Sequence, residues 1–301
     1  LFLINGIFRG AGNAAIAMRV LWVANLFNIV LDPILIFGLG PIPAFGVEGA
    51  AISTNIGRGI GVIIQLYYLF SGKSIVKLSA QNFKIDWKII WQVVEVSAGG
   101  TGQFLISSAS WVFLSRIIAQ FGSTAIAGYT IALRVIVFTI LPSWGMANAA
   151  ATLVGQNLGA NQPERAEKSV WKTGFYNMVF LALIMIVFLF FSSPILRFFT
   201  SDTQVVNYGT QCLQIVALGY LFYGYGMVIT QSFNGAGDTK TPTLLNLFGF
   251  WCFQIPLAYA LAIYLDWGPN GVYAAIAIAE SAIAVAGIIL FRKGKWKTVK
   301  V

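Results

Sequence analysis

Long apolar stretches with few interrupting charges recur along the whole chain. Eight of them are near or above the ~20 residues that an α-helix needs to cross a bilayer. They span residues 16–39, 50–71, 90–119, 124–156, 169–193, 205–232, 241–265 and 271–291. Strands of a membrane barrel would alternate over about ten residues, so continuous apolar character at this length predicts helices. The expected fold class is all-α, a polytopic membrane protein with eight visible transmembrane helices.

Composition agrees with a membrane protein and narrows the function. Apolar residues make up 58% of the chain and charged residues 10%, which no soluble domain of this length could accommodate. Histidine is absent, and the two cysteines, Cys212 and Cys252, show no disulfide or metal-binding pattern. The commonest general base and metal ligand is therefore missing. We expect no organic cofactor and no enzymatic activity.

The basic residues predict the orientation in the membrane. When the spans are counted alternately, nearly all basic residues fall on one side: Arg9, Arg19, Lys73, Lys77, Lys84, Lys88, Arg165, Lys168, Lys172, Lys240, Arg292, Lys293, Lys295, Lys297 and Lys300. The loops of the opposite side hold only Arg197, with Arg116 close by. Positive residues mark the cytoplasmic side, so we expect a cytoplasmic (inner or plasma) membrane protein with its carboxyl terminus inside. The net charge of +9 then indicates contact with anionic lipid rather than nucleic acid.

An internal repeat predicts a larger architecture. The segment Phe8-Arg-Gly-Ala-Gly-Asn13 returns in altered form as Phe233-Asn-Gly-Ala-Gly-Asp238. Two landmarks further along repeat as well: Pro33 with Pro256, and the pair Gly46 and Gly49 with Gly268 and Gly271. Six predicted spans separate the copies, so both copies face the same side and the repeat of about 220 residues is parallel. This predicts a twelve-helix, two-lobed transporter.

Domain limits follow from the repeat. We assign residues 1–72 to the end of the amino-terminal lobe (the end of helix 4, helices 5 and 6) and residues 73–89 to a cytoplasmic linker. Residues 90–291 form the carboxyl-terminal lobe (helices 7 to 12), and residues 292–301 form a basic cytoplasmic tail. Since the chain begins with a leucine inside an apolar segment, we expect that an amino-terminal part is missing. The Gly-Ala-Gly segments are expected to be tight turns between helices, with no ligand of their own.

These motifs resemble a known family. The duplicated Gly-Ala-Gly turn, the run Asn28-Ile-Val-Leu-Asp32-Pro33-Ile-Leu-Ile-Phe-Gly38 and the run Val154-Gly-Gln-Asn-Leu-Gly-Ala160 are similar to the multidrug and toxic compound extrusion (MATE) transporters. The resemblance covers the whole chain. It implies an antiporter that expels organic, often cationic, small molecules while Na⁺ or H⁺ enters. We expect the intact protein to be monomeric, with membrane lipid around it.

Three acidic residues, Asp32, Glu95 and Glu280, fall inside predicted spans, where a carboxylate is costly unless paired, hydrated or neutral. Asn28 lies one helical turn before Asp32, so both share a helix face, and Thr54 of the next span could add a hydroxyl. Oxygen ligands of this kind suit a hard cation such as Na⁺. The alternative is that Asp32 only bonds a polar group of a neighbouring helix. The family resemblance implies a cation site at Asn28, Asp32 and Thr54, completed by an aspartate of the first helix.

The second copy of the repeat lacks the carboxylate that Asp32 supplies in the first. At the offset of the two prolines, Asp32 corresponds to Ile255, and residues 205–232 contain no acid. The carboxyl-terminal cation site of some MATE relatives, which uses acids of the seventh and tenth helices, is therefore expected to be absent. Glu95 is expected to reach the interface or pair with Lys88. Glu280 has no obvious partner in the sequence, and no role follows for it.

Aromatic residues are candidates for a substrate cavity. Ring faces attract cations and stack on flat compounds, and the residues chosen are Phe104, Trp111, Tyr129, Tyr220 and Tyr223. The alternative for each of them is packing against lipid or at the membrane interface.

Three rival functions stay open at this point. A flippase for lipid-linked oligosaccharide or polysaccharide would need a basic cavity for pyrophosphate in the missing helices. An integral-membrane enzyme would need a catalytic constellation that the sequence does not show. A structural membrane protein would show no coupled flux.

Overall fold

The chain is helical in the computed structural model, which describes residues 1–79 and 84–298. This described part contains no β-strand, so the all-α prediction is confirmed. Its helices are α1 (Phe2–Gly10), α2 (Ala14–Phe37), α3 (Val47–Phe70), α4 (Trp87–Ala119), α5 (Ser123–Gly159), α6 (Pro163–Arg197), α7 (Thr203–Ala217), α8 (Tyr220–Gly235), α9 (Lys240–Asn246), α10 (Ile255–Tyr259) and α11 (Pro269–Arg292). Lys300 of the predicted tail and residues 80–83 of the predicted linker lie outside the described residues.

The membrane-spanning character of these helices is clear from length and apolarity. Within the described residues six helical segments are long and apolar enough to cross a membrane: α2, α4, α5, α6, Lys240–Tyr264 and α11. The predicted span 50–71 forms α3, which has 24 residues, but polar residues from Ser53 to Arg58 lower its hydropathy and it is not among the six. The polytopic membrane fold is therefore confirmed, while the total of twelve helices stays a prediction.

The predicted span 205–232 is not one straight helix. It consists of α7 and α8, which meet at an angle of 62°, and together they count as a seventh candidate span of the described chain. At the bend, Gly219 packs so closely against α11 that a Cβ atom there would lie 3.1 Å from the Cα and carbonyl oxygen of Ala277. Close helix contacts at small residues are the usual packing mode in lipid. The crossing of α11 thus accompanies the break.

The span from Lys240 to Tyr264 contains wider turns. Two π-helical stretches, Leu247–Gln254 and Ala260–Tyr264, flank α10. Such turns shift the phase of the side chains along a helix and are frequent at functional sites. The first stretch ends at Gln254, a buried polar residue that is important below.

The chain divides into two compact units, Leu1–Asp86 and the residues from Trp87 onward. The core of the first unit lies between α1, α2 and α3 and includes Phe8, Val20 and Leu69. The core of the second unit includes Tyr129, Leu213 and Tyr273. The division falls inside the predicted linker 73–89, and the assignment of the units to lobes stays a prediction.

The two Gly-Ala-Gly segments form the same turn. Gly12 and Gly237 have φ angles of 86° and 83°, the left-handed region that glycine adopts without strain. In each copy a backbone N–H donates to the carbonyl five residues earlier, from Asn13 to Phe8 at 2.8 Å and from Asp238 to Phe233 at 3.0 Å. The predicted turn between helices is therefore present in both repeats.

The same turn occurs a third time, after α5, where the sequence reads Asn157-Leu-Gly-Ala-Asn161-Gln162. Asn161 takes the left-handed position with φ 55°, and the N–H of Gln162 donates to the carbonyl of Asn157 at 2.8 Å. Asparagine tolerates this conformation better than most residues. The sequence pattern missed this copy because asparagine replaces the second glycine.

The described part of the basic tail packs against the second unit. Trp296 is fully buried, stacks on Phe291 with ring centroids 4.5 Å apart, and donates its indole N–H to the carbonyl of Phe291 at 2.9 Å. The ammonium of Lys297 forms an ion pair with Glu167 at the beginning of α6. These residues thus connect the end of α11 to α6, a role that the charge pattern did not indicate.

Replacement of Trp296 by alanine should destabilise the protein. Loss of a fully buried tryptophan costs about 3–5 kcal/mol, because the cavity cannot close completely. Circular dichroism at rising temperature would show a clear drop in the melting temperature of the purified protein. Trp267→Ala is the matched control, since Trp267 is 54% exposed. An equal drop for both variants would contradict the role of Trp296.

Candidate functional site

The residues predicted to bind a cation lie in the first unit. Asn28 and Asp32 stand one turn apart on α2, and both side chains are partly buried. The Oδ1 atoms of both are buried and have no hydrogen-bond partner among the described residues. Buried polar atoms are nearly always paired in native proteins, so two such orphans on one helix face indicate a ligand site.

Helix α3 faces this pair with small residues. A Cβ atom on Gly57 would overlap the Oδ1 of Asn28 and would lie 2.8 Å from the carbonyl oxygen of Ala24. A Cβ atom on Gly49 would likewise overlap the carbonyl of Leu35. The two antiparallel helices are therefore in close contact on both sides of Asp32. The glycines allow α3 to press its backbone onto α2.

This register brings Ser53 to the level of Asp32. Ser53 lies midway between Gly49 and Gly57 on α3, just as Asp32 lies between Asn28 and Leu35 on α2. Ser53 is completely buried, and its hydroxyl oxygen makes no hydrogen bond in the described part of the chain. The sequence reasoning missed Ser53, although the four-residue step from Gly49 to Gly57 is a signal that could have identified it.

Thr54, the predicted hydroxyl ligand, is partly buried next to Ser53. Its Oγ1 donates a hydrogen bond to the carbonyl of Ala50 at 2.8 Å, one turn earlier on α3. A hydroxyl that donates in this way can still accept or coordinate through its lone pairs. Thr54 therefore stays a predicted ligand.

The chemistry of these oxygens fits a proton or a small monovalent cation. One carboxylate, one amide oxygen and one hydroxyl are hard donors, and together they carry a single negative charge. The described residues contain no cluster of three or more His, Cys, Asp or Glu that could hold a metal ion. A site with one carboxylate neutralises a charge of +1, which favours Na⁺ or H⁺ over a divalent ion.

A second site lies in the unit that begins at Trp87. An apolar cavity opens between α4, α5, α8, α11 and the first π-helical stretch. Its aromatic and polar lining residues are Trp111, Tyr129, Tyr220, Tyr223, Gln254 and Glu280, and the other lining residues are aliphatic or glycine. An apolar and aromatic lining with a few polar groups is typical of sites for small organic molecules.

The structure brings four of the five predicted aromatic residues to this cavity. Tyr220 and Tyr223 stack with ring centroids 6.5 Å apart. Trp111 and Tyr129 line the cavity from α4 and α5. Phe104 is on α4 but is 67% exposed and does not line the cavity, so its predicted role as a substrate contact has no support here.

Polar groups of this cavity were not anticipated from the sequence. Gln254 is only 2% exposed, and its Oε1 accepts a hydrogen bond from the hydroxyl of Ser110 at 3.0 Å. Glu280 lines the same cavity and is the one charged residue of that lining in the described chain. Residues far apart in sequence, on α4, α11 and a π-helical stretch, thus form one polar edge.

The third intramembrane acid, Glu95, has a different environment. Its carboxylate lies 3.5 Å from the ammonium of Lys240, and both side chains are largely exposed. Lys88 lies two helical turns away from Glu95 on α4, and the expected pairing of these two residues stays a prediction. An exposed pair such as Glu95 and Lys240 contributes about 0–1 kcal/mol, so Glu95 is a surface contact between α4 and α9.

Comparison with known families agrees with this architecture. The family model described as MatE matches residues 101–260, more than half of the chain. The chain belongs to the MatE family. The resemblance seen in the Gly-Ala-Gly turns and in the Asn28–Gly38 run is therefore confirmed. With its apolar helices, this MatE chain is an integral membrane protein.

Individual relatives extend over nearly the whole MatE chain. The "Probable multidrug resistance protein NorM" of Thermotoga maritima is 25% identical over 97% of the chain and 63% of its own length. The "FAD transporter" of Shewanella oneidensis is 24% identical over 92% of the chain and 61% of its own length. A solved "Outward-facing conformation of a multidrug resistance MATE family transporter" superposes with a TM-score of 0.90, at 25% identity over 98% of the chain and 66% of the solved chain. The chain thus spans less than two thirds of the length of these relatives.

Substitution of Gly57 should disturb the cation site through packing. Gly57→Ala places a methyl group against Asn28 and Ala24, and overpacking of this kind costs about 1–3 kcal/mol. Thermal unfolding of the purified protein should show lower stability. Gly59→Ala is the matched control on the same helix, because no atom lies within 4 Å of a Cβ there. That variant should be as stable as the parent or more stable by up to about 1 kcal/mol. The reverse order would refute the close contact.

Proposed function

We propose that this MatE chain acts in a cation-coupled antiporter that exports organic, often cationic, compounds across the cytoplasmic membrane. The observation that carries the proposal is the buried, unpartnered carboxylate oxygen of Asp32, with unpartnered oxygens of Asn28 on the same helix and of Ser53 on the helix packed against it. A structural role would pair Asp32 with a donor of a neighbouring helix. The coupling ion is Na⁺ or H⁺, bound by Asn28, Asp32 and Thr54 with Ser53 as a further ligand.

Coupling requires the ion and the exported compound to favour different conformations, since a ligand that binds two states equally shifts neither. Binding of a cation neutralises Asp32 and removes the cost of its charge in the membrane. Pro33 follows Asp32 directly, and a proline inside a helix removes one backbone hydrogen bond. A helix weakened at the ion site can bend there when the charge of Asp32 changes.

The exported compound occupies the aromatic cavity of the second unit. Ring faces of Trp111, Tyr220 and Tyr223 supply stacking and attraction for cations. The relatives named above carry the terms multidrug resistance and FAD transporter, which supports small organic cargo. A flippase is not favoured, because a pyrophosphate group needs a basic cavity and no lysine or arginine lines this one within the described residues. A family of transporters likewise disfavours an enzyme or a purely structural protein.

The setting completes the proposal. The distribution of basic residues supports a cytoplasmic position of the Gly-Ala-Gly turns and the tail. The protein functions as a monomer of two parallel six-helix lobes in membrane lipid, without nucleic acid. Residues 1–72 contribute to the amino-terminal lobe and residues 90–291 form the carboxyl-terminal lobe.

Removal of the charge at Asp32 tests this function. Asp32→Asn should abolish drug efflux driven by a Na⁺ or pH gradient in membrane vesicles. The neutral amide of asparagine can neither bind and release a proton nor balance the charge of a bound Na⁺. Glu48→Gln, an exposed acid in the first turn of α3, is the control and should transport normally. Undiminished coupled transport by Asp32→Asn, at equal expression, would refute the proposal. The gradient that drives the parent protein identifies the ion.

The contributions of the Ser53 and Thr54 hydroxyls to ion binding can be measured separately. Ser53→Ala removes an unpartnered buried oxygen, whereas Thr54→Val removes one that already bonds Ala50. We expect Ser53→Ala to weaken the apparent ion affinity about tenfold, equivalent to about 1.4 kcal/mol, and Thr54→Val to have a smaller effect. Ion titration of efflux measures both. A larger effect of Thr54→Val would indicate that Thr54, rather than Ser53, is the main hydroxyl ligand of the ion.

A further inference from the structure

Glu280 is the acid that the proposed ion site does not use. It lies in α11 and faces the aromatic cavity together with Trp111, Tyr220 and Gln254. The titratable residues that share the lining are Tyr129 of α5 and Tyr220 and Tyr223 of α8, and no lysine or arginine lines it within the described residues. Phenol hydroxyls are neutral at physiological pH. The lining therefore offers Glu280 no positive charge.

A carboxylate in such a place needs a counter-charge. Without one, transfer of an ionised carboxyl group into apolar surroundings is so costly that the group takes up a proton instead. The same place accepts a ligand cation readily, because the cation replaces the proton and leaves the total charge of the cavity unchanged. A proton and an organic cation are thus alternative partners of one carboxyl group.

Further polar atoms at the cavity are also ready for a ligand. The hydroxyl oxygens of Tyr129 and Tyr220 are buried without a hydrogen bond in the described structure. Both tyrosines are nearly fully buried. Buried hydroxyls normally have partners. Tyr129, Tyr220 and Glu280 line the same cavity, so a ligand with polar groups can satisfy more than one of them.

The amide of Gln254 has a fixed orientation. Its Oε1 accepts from Ser110, which leaves its Nε2 hydrogens as the available donors. The cavity therefore combines one exchangeable charge, a fixed amide donor and aromatic faces that attract a cation.

We propose that Glu280 is a proton-exchange site in the cavity of the second unit. Its carboxyl group holds a proton when the cavity is empty. When an organic monocation binds, the O–H bond breaks, the proton passes to water, and the carboxylate pairs with the cation. The site needs neither Asn28 nor Asp32, so the chain has two independent cation sites. The use of this exchange in transport rests on the proposed function, whereas the exchange itself does not.

Tetraphenylphosphonium is a suitable probe, because it is a permanent cation with no proton of its own. Calorimetric titration of the purified full chain in buffers of different ionisation enthalpy counts the protons released. We expect about one proton per bound cation at low pH and an affinity that rises as the pH rises. The anion tetraphenylborate, similar in size and shape, should bind at least tenfold more weakly.

Variants identify the group that releases the proton. Glu280→Gln should weaken tetraphenylphosphonium binding at least tenfold and abolish both proton release and the pH dependence, and Glu280→Asp should retain both. Glu95→Gln is the matched control at an exposed acid and should bind and release as the parent does. Asp32→Asn should also bind and release normally, even though it stops coupled efflux.

Clear results would overturn the inference. Proton release by Glu280→Gln at parental affinity would do so, as would pH-independent binding of the probe to the parent protein. The second measurement needs no variant, so it decides the matter even if Glu280→Gln does not fold. Undiminished coupled efflux by Asp32→Asn, with proton exchange at Glu280 intact, would instead refute the proposed function and leave this site standing.

Discussion

Close contact between helix backbones is the constraint on which this structure depends. Lipid offers no hydrogen-bond partners, so polar groups in the membrane must be satisfied by neighbouring helices, and small residues let those helices approach. Asn177 shows the result, since it donates to the carbonyl of Gly224 at 2.8 Å and accepts from Ser143 at 2.5 Å, all three fully within the core. Gly57 below Asn28 and Gly219 beside Ala277 follow the same rule.

Buried polar atoms without a hydrogen-bond partner are the exceptions to this rule. Where most buried polar atoms find a partner, those of Asn28, Asp32 and Ser53 in the first unit, and of Tyr129 and Tyr220 in the second, do not in the described chain. Both groups adjoin an acid and face either a tight helix contact or a cavity. In the two proposals above, ligands satisfy these atoms. The two units differ in what they can hold, since one offers a small cluster of oxygens and the other an aromatic chamber with a single carboxyl group.

The sequence predicted repeating and local features well. Gly12 and Gly237 lie in equivalent left-handed turns, because a turn of this type depends on a few neighbouring residues. Residues brought together from distant helices were harder to predict. The sequence singled out Thr54 as a hydroxyl ligand and not its buried neighbour Ser53. A shift of one residue on a helix changes the direction of a side chain by about 100°, and the sequence does not show which direction faces α2. Phe104 does not line the cavity and its role stays a prediction, because aromatic character alone does not distinguish a cavity wall from a lipid-facing surface.

By itself, the sequence determined the all-α membrane fold, the repeated turns and the family, and it singled out Asp32 as a candidate, since hydrophobicity, glycine and an intramembrane charge act through local chemistry. Only the tertiary structure decided the break between α7 and α8, the burial of Trp296, the pairing of Glu95 with Lys240 and the place of Glu280 in the aromatic cavity. These depend on which helix faces meet. Helix contacts in lipid are selected by shape complementarity between surfaces that are equally apolar, and such complementarity is not visible in a linear pattern.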